Sequence, residues 1–363
     1  MRIAMVSPYS LSRPGGVQQQ ALGLTAELRR LGHDVRLIAP LDGPPPEPGI
    51  VSVCPSVEWE SNGSIAPIAP GQAAARRTIG ALTAIEPDVV HLHEPLVPGP
   101  TLTALLWFEG PMVGTAHISG ELPHDWLRPA LPPVVARLTA RCAVSDSAAE
   151  MARRLYKADF EVLWNGIDLH AYEEPAPTPS ARAAVLFMGR HEPRKGLRTL
   201  IDAWAGIDRD ATLWIAGTGP ETGDLKRRKL SGVEWLGVLS ERDKISRLKG
   251  ATVYCAPSLG GESFGIVLLE AMAAGTPVVA SAIDGYANVA RPDREALLVP
   301  AGDPDALRDA LRTLLDDPER RAELEKAGTA RAEEFSMHRL ALRYVEIYER
   351  VIAAARSGQP HQG

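Results

Sequence analysis

Short apolar runs alternate with helical patterns along the whole of this 363-residue chain. That alternation constrains the fold more than any other feature, because strands separated by helices pair in parallel and bury both faces. In the first half the runs are 3–6, 35–39, 89–93, 113–115 and 142–144, with 160–163 as a sixth. Each is nearly continuous in apolar residues, as a strand covered on both faces requires. The rhythm breaks between 168 and 182, where Glu173-Glu174-Pro175-Ala176-Pro177-Thr178-Pro179-Ser180 is polar and proline-rich and reads as a linker. It restarts at 185–188 and continues with 213–216, 233–236, 253–256, 278–280 and 297–299. Two successive sets predict two Rossmann-like α/β domains, 1–170 and 181–340, joined by a linker at 171–180. Asp303-Pro304 and Asp317-Pro318 each place a capping acid before a first-turn proline and start two helices. Leu340, Tyr344, Ile347 and Val351 follow helical spacing. The helix they mark, about 341–357, is expected to pack back on the first domain.

Composition narrows the function classes. A formal net charge of −6, with both signs interspersed, argues against a nucleic-acid partner. Three widely spaced cysteines, Cys54, Cys142 and Cys255, read as reduced thiols of a cytoplasmic protein. The start Met1-Arg2-Ile3-Ala4-Met5-Val6 carries no signal-peptide pattern, and no run of about 18 apolar residues exists, so membrane contact is expected to be peripheral.

Three loops carry the chemistry. The first runs from Ser7-Pro8-Tyr9 to Pro14-Gly15-Gly16-Val17-Gln18, between strand one and a helix. Adjacent glycines admit a phosphate to a helix N-terminus, although the same Gly-Gly reads equally as a tight turn. The spacing is not Gly-x-Gly-x-x-Gly, so a dinucleotide is disfavoured. The second loop, Gly189-Arg190-His191-Glu192-Pro193-Arg194-Lys195-Gly196, puts three cations at a strand end, where a leaving diphosphate needs neutralisation. A solvated charged loop is the plainer reading, and the strand-end position speaks against it. The third is Gly260-Gly261-Glu262-Ser263-Phe264-Gly265-Ile266-Val267-Leu268-Leu269-Glu270. With Glu262 at a helix start and Glu270 inside the helix, the carboxylates would stand about 12 Å apart along its axis. That suits the two ends of an elongated ligand better than paired acid–base work. Glu262, Ser263, Phe264 and Gly265 also offer N–H groups to phosphates.

These residues resemble the retaining family-4 glycosyltransferases of GT-B fold. Gly-Glu-Ser-Phe-Gly with Glu-x7-Glu, Gly189-Arg190, Arg194-Lys195-Gly196 and Asn165-Gly166-Ile167-Asp168 carry the likeness over essentially the whole chain. Within that family the chain most resembles actinobacterial phosphatidylinositol mannosyltransferases, which use GDP-mannose. The matching stretches are Ser7 to Ser10, Pro14 to Gln18, Asn62-Gly63-Ser64, His91-Leu92-His93-Glu94-Pro95, Val253 to Pro257 and Gly260 to Glu270. The resemblance implies an active site in the cleft between two domains. It implies that Gly16, Arg190 and Lys195 hold the diphosphate, Glu262 the mannose and Glu270 the ribose, with Lys244 at the guanine. Tyr9, Gln18, Asn62 and Ser64 would receive the inositol-phosphate head group, and His117 would lie near the transferred sugar. No cofactor is implied, although a divalent ion such as Mg2+ remains compatible with it.

Other readings stand beside these. His91, His93 and His117 also make a candidate metal cluster, since His91 and His93 share one strand face. Asp208-Arg209-Asp210 looks like a metal-binding Asp-x-Asp but falls in a helix-to-strand connection, where a turn is expected. The family carries basic residues after Asn-Gly-Ser; here residues 65–72 have no charge, and Arg76 and Arg77 follow. The apolar stretch 65–70 is therefore expected either to dip into a headgroup layer or to pack inside the first domain. The expected reaction is transfer of mannose from GDP-mannose to phosphatidylinositol with retention, by front-face attack, at the inner face of the cell membrane. A related transferase with a soluble acceptor or another nucleotide sugar, and a non-catalytic nucleotide-sugar or glycan binder, are the rivals.

Overall fold

The computed structural model describes residues 1–13, 15–61, 64–117, 131–262 and 264–357, without the side chains of residues 60, 61, 64 and 65. It divides into two compact units, one of Met1–Gly166 with Met337–Gly363 and the other of Ile167–Ser336. Each is a parallel sheet with helices, as the alternation requires.

The first unit contains β1 (Arg2–Val6), α1 (Gly16–Arg30), β2 (Asp34–Ala39), β3 (Ile50–Ser52), the antiparallel hairpin β4 (Val57–Ser61) and β5 (Ser64–Ile68), α2 (Gln72–Ile85) and β6 (Val89–His93). Then come α3 (Pro100–Trp107), β7 (Met112–Ala116), α4 (Leu131–Val135), β8 (Ala140–Ala143), α5 (Asp146–Tyr156) and β9 (Glu161–Val162). The sheet order is β3-β2-β1-β6-β7-β8-β9. The second unit holds β10 (Ala183–Met188), α6 (Leu197–Trp204), β11 (Ala211–Ala216), α7 (Thr222–Lys226), β12 (Val233–Gly237), α8 (Glu241–Gly250) and β13 (Val253–Ala256). It continues with α9 (Ile266–Ala273), β14 (Val278–Ser281), α10 (Asp284–Ala287), β15 (Ala296–Val299), α11 (Pro304–Asp316) and α12 (Pro318–Glu334). Its order is β12-β11-β10-β13-β14-β15. In both sheets the order reverses beside the first strand of the unit, so the loops after β1 and β10 open onto a switch point, where ligands of such sheets bind.

The hairpin β4–β5 has no counterpart among the expected strands. Its presence decides the fate of the apolar stretch 65–70: Ile68 and Ala69 are buried, and Ala69 joins a core with Val6, Val53 and Leu92. The packing alternative holds for these residues, because Ile68 bridges Tyr9 and Pro67 accepts a hydrogen bond from the Ser10 N–H. The apolar surface of the hairpin is instead on β4, where Val57 and Trp59 are exposed.

The segment 173–180 runs within the second unit. The Thr178 N–H donates to the Ser246 carbonyl of α8 at 2.8 Å, and the Ser246 hydroxyl donates to the Ala176 carbonyl at 2.6 Å. Asp303 and Asp317 cap α11 and α12 as their sequence context predicts, accepting from the N–H groups of Asp305, Ala306 and Arg320. Asp208-Arg209-Asp210 is a connection between α6 and β11, with the Arg209 guanidinium on Asp316.

The chain returns to the first unit as α13 (Met337–Ser357), which packs on α1 and β6. Tyr344, Ile347, Tyr348 and Val351 enter the same core as Ile3, Leu24 and Val89. Two tyrosines in an apolar core need partners for their hydroxyls. Tyr348 meets His91 Nδ1 at 2.7 Å and Tyr344 meets Thr115 Oγ1 at 2.8 Å. Replacing Tyr348 by Phe keeps the ring and strands a buried imidazole nitrogen, which costs about 1–3 kcal/mol. Urea unfolding at pH 7.5 is expected to show a lower midpoint for Tyr348→Phe; an unchanged midpoint would show that this hydroxyl does not stabilise the helix.

Candidate active site

In the second unit the loop after β10 folds against the loop after β13. Gly196 is left-handed, with φ 67°, and a Cβ there would lie 1.8 Å from the Pro257 carbonyl oxygen. Only glycine permits that approach. It brings Lys195 to Glu262: Nζ donates to Oε1 at 2.5 Å, and Ser258 Oγ donates to the same oxygen at 3.0 Å. Tyr286 donates in turn to Ser258 Oγ at 2.9 Å. Arg194 reaches the Gly261 carbonyl at 3.3 Å and stands 4.0 Å from Glu262, while its Nε donates to Glu192 at 3.1 Å. Arg190 pairs with the other Glu192 oxygen at 3.0 Å. The three cations at the strand end thus meet two carboxylates, a cluster able to exchange an internal anion for an external one.

Glu262 precedes α9 rather than opening it. The helix starts at Ile266, after Gly265 at φ 93°. The axial separation expected from a continuous helix between Glu262 and Glu270 therefore does not apply. A Cβ on Gly285 would sit 1.9 Å from the Glu262 carbonyl oxygen, so the backbone of this loop is clamped from a second side. Phe264 is buried with its ring edge-on to Phe335. Ser263 lies outside the described residues.

Glu270, inside α9, is buried and pairs with Lys244 of α8 at 2.7 Å; Lys244 also meets Glu241 at 2.6 Å. Burial works against the ammonium charge, but Glu270 and Glu241 outweigh it and hold Lys244 above its ordinary value. The two sequence-predicted carboxylates therefore belong to separate ion pairs, Lys195–Glu262 and Lys244–Glu270.

In the first unit, α1 begins at Gly16 with no side-chain cap and no acid in its first turn, which leaves a helix terminus suited to an anion. Gln18 is buried with Nε2 3.4 Å from the Ser10 carbonyl oxygen. Tyr9 is buried too, and burial with Glu94 nearby keeps its phenol protonated. Asn62 lies outside the described residues, as does the side chain of Ser64.

His117 sits at the end of β7 and belongs to a chain of imidazoles not legible as such from spacing. His93 Nδ1 lies 2.8 Å from His117 Nε2, and His93 Nε2 lies 2.9 Å from the Met5 sulfur. His91 stacks on His93 with ring centroids 4.6 Å apart and meets Tyr348 and Thr115 through its two nitrogens. With those nitrogens so committed, among the described residues no group of three His, Cys, Asp or Glu side chains is placed to hold a metal ion. The His117 N–H donates to Glu94 at 2.5 Å. Sequence reasoning missed Met5, Glu94, Glu192, Ser258 and Tyr286; of these, Glu94 and Glu192 carried a signal, within His-Leu-His-Glu-Pro and the loop 189–196.

Residues 14–171 match Glycosyltransferase Family 4, and residues 182–317 match Glycosyl transferases group 1. The chain is 37% identical over 99% of its length, and 99% of the relative's, to a phosphatidyl-myo-inositol mannosyltransferase of Mycobacterium leprae. The chain belongs to the family-4 glycosyltransferases. A second relative of the same name, from Mycolicibacterium smegmatis, is 36% identical over 98% of this chain and 95% of its own. Among solved structures, sucrose-phosphate synthase from Thermosynechococcus elongatus is similar with a TM-score of 0.73 at 21% identity, covering 97% of this chain and 99% of that one. Anabaena HepE in complex with UDP and glucose gives 0.73 at 19%, covering 96% and 100%. These two bear on the fold alone, and they place it among GT-B glycosyltransferases. The protein is thus a glycosyltransferase, and no helix among its described residues is long and apolar enough to cross a membrane.

Burial lowers His91, His93 and His117 from the ordinary 6.5, with His93 pushed down to about 3. An unfolded chain protonates each near 6.5, whereas the folded unit does not. Folding is therefore opposed as pH falls from about 6.5 toward about 3, and this opposition is absent above 6.5. The slope approaches about 4 kcal/mol per pH unit once the three sites are engaged, about 1.4 for each proton. The urea midpoint of the first unit is expected to fall between pH 7 and 5.5; a flat midpoint over that range would contradict neutral burial of these rings.

Proposed function

We propose that this glycosyltransferase moves mannose from GDP-mannose to phosphatidylinositol with retention. The observation that carries the reading is the near-full-length likeness to relatives named phosphatidyl-myo-inositol mannosyltransferase, joined to the two ion pairs of the second unit. On this reading Arg190 and Lys195 take the diphosphate and Glu262 turns to the mannose hydroxyls. Lys244 and Glu270 serve the guanosine end, and Ser263, Phe264 and Gly265 lend backbone to the phosphates. Gly16 adds a helix terminus to the diphosphate. His117 faces the transferred sugar, and Tyr9, Gln18, Asn62 and Ser64 receive the inositol phosphate.

Neutralising a departing diphosphate with guanidinium and ammonium groups needs no resident metal. Attack from the face that the diphosphate leaves lets that group accept the acceptor proton, so the protein mainly orients and stabilises charge. Contact with the membrane is peripheral. The exposed Trp59 and Val57 of the hairpin that carries Ser64 supply an apolar edge of the kind that settles at a headgroup boundary.

Purified protein given GDP-mannose, UDP-glucose or ADP-glucose, each with phosphatidylinositol vesicles or soluble inositol phosphate, tests the reading. Mannosylated lipid from GDP-mannose is the expected product, with the anomeric configuration of the donor. A preference for UDP-glucose, or efficient transfer to the soluble compound without vesicle binding, would assign the protein to a different donor or acceptor class.

A further inference from the structure

We propose that Met5 and His93 are positioning residues that fix the tautomer of His117, so that His117 presents a bare Nδ1 lone pair to a substrate hydroxyl. The functional half of this proposal rests on the reading of His117 as a contact of the transferred sugar.

The order of protons follows by elimination from one end of the chain. A thioether sulfur only accepts, so the atom facing it must be a donor. That atom is His93 Nε2, 2.9 Å from the Met5 sulfur. His93 is buried against the His91 and His117 rings and the Met5 sulfur and is neutral, hence it carries one N–H and its Nδ1 is an acceptor. The group facing His93 Nδ1 at 2.8 Å is His117 Nε2, which must then donate. His117 is also neutral, so its one proton is spent on His93 and its Nδ1 is left with a lone pair. The opposite arrangement would set two lone pairs against each other at the sulfur. His91 does not compete for these bonds, because its nitrogens lie on Tyr348 and Thr115 while its ring stacks on His93.

A histidine fixed this way discriminates chemically. It accepts from a hydroxyl and cannot donate from Nδ1 to a phosphate oxygen, which separates its task from that of the cations on the second unit. The sulfur on β1, distant in sequence from the end of β7, thus selects which substrate group His117 recognises.

Nitrogen-15 histidine labelling of the full chain, read by long-range proton–nitrogen correlation, reports each tautomer directly, with His117 assigned from its replacement by Asn. At pH 7.5, His93 and His117 are both expected to carry hydrogen at Nε2 and none at Nδ1. Met5→Leu conserves volume and removes the acceptor. It is expected to mix the tautomers of both rings and to lower mannosyl turnover about tenfold, the worth of one hydrogen bond, with a modest fall in melting temperature from the N–H left unpaired. An Nδ1–H on His117 in the unaltered protein, or tautomers unmoved by Met5→Leu, would overturn the proton order. Tautomers that mix in Met5→Leu while turnover stays at its original value would uphold that order. They would overturn the assignment of His117 to the sugar.

Discussion

Strand β10 lies against β13, with Val185 opposite Val253 and Leu186 opposite Tyr254. The charge cluster of Lys195 and Glu262 depends on that pairing. It sets the loop after β10 against the loop after β13 so closely that Gly196 meets the Pro257 carbonyl with no room for a side chain. Lys195, immediately before Gly196, is thereby delivered to Glu262. A parallel sheet with a reversal in strand order makes this adjacency out of segments far apart in sequence. The ion pair is a product of the topology rather than of local spacing.

The two units differ in how they treat charge. The second holds its candidate site side chains as ion pairs, with Glu192 and Glu262 occupying the cations of residues 190–195 and Glu270 occupying Lys244. Of these, Lys195–Glu262 and Lys244–Glu270 are largely buried, and the desolvation cost of such pairs is offset only while each charge has a partner, so in the proposed reaction the diphosphate replaces Glu262 on Lys195. The first unit has a different character around His117: neutral imidazoles, tyrosine and threonine hydroxyls and a sulfur, with one carboxylate, Glu94, on the His117 N–H. In the proposed reaction the charged half takes the leaving group, and the neutral half orders hydroxyls.

Most strands of both sheets were legible because apolar runs such as 89–93 and 253–256 have no amphipathic alternative, and both ranges coincide with β6 and β13; the three-residue edge strand β3 was too short to stand out. The caps of α11 and α12 were legible because Asp-Pro carries its own geometry. The hairpin β4–β5 was not, since Val57 and Trp59 point outward and Glu58 breaks the apolar run. The pairing of Glu262 with Lys195 was not legible either: the motif suggested a helix from Glu262, whereas Gly265 in the left-handed region starts it later. His91 and His93 showed their shared face through i, i+2 spacing. That spacing said nothing of Met5 or Tyr348, which reach them only through β1 and α13.

In the proposed reaction Glu262 serves the sugar end of the donor and Glu270 the nucleoside end. Calorimetric titration of GDP into Glu262→Gln and Glu270→Gln tests it most directly. Glu262→Gln removes a carboxylate that competes for Lys195, so GDP is predicted to bind it as tightly as the unaltered protein, or more tightly, while transfer is lost. Glu270→Gln is predicted to weaken GDP about tenfold or more, as expected for one charge-assisted hydrogen bond. Equal weakening of GDP by both replacements would contradict the claim.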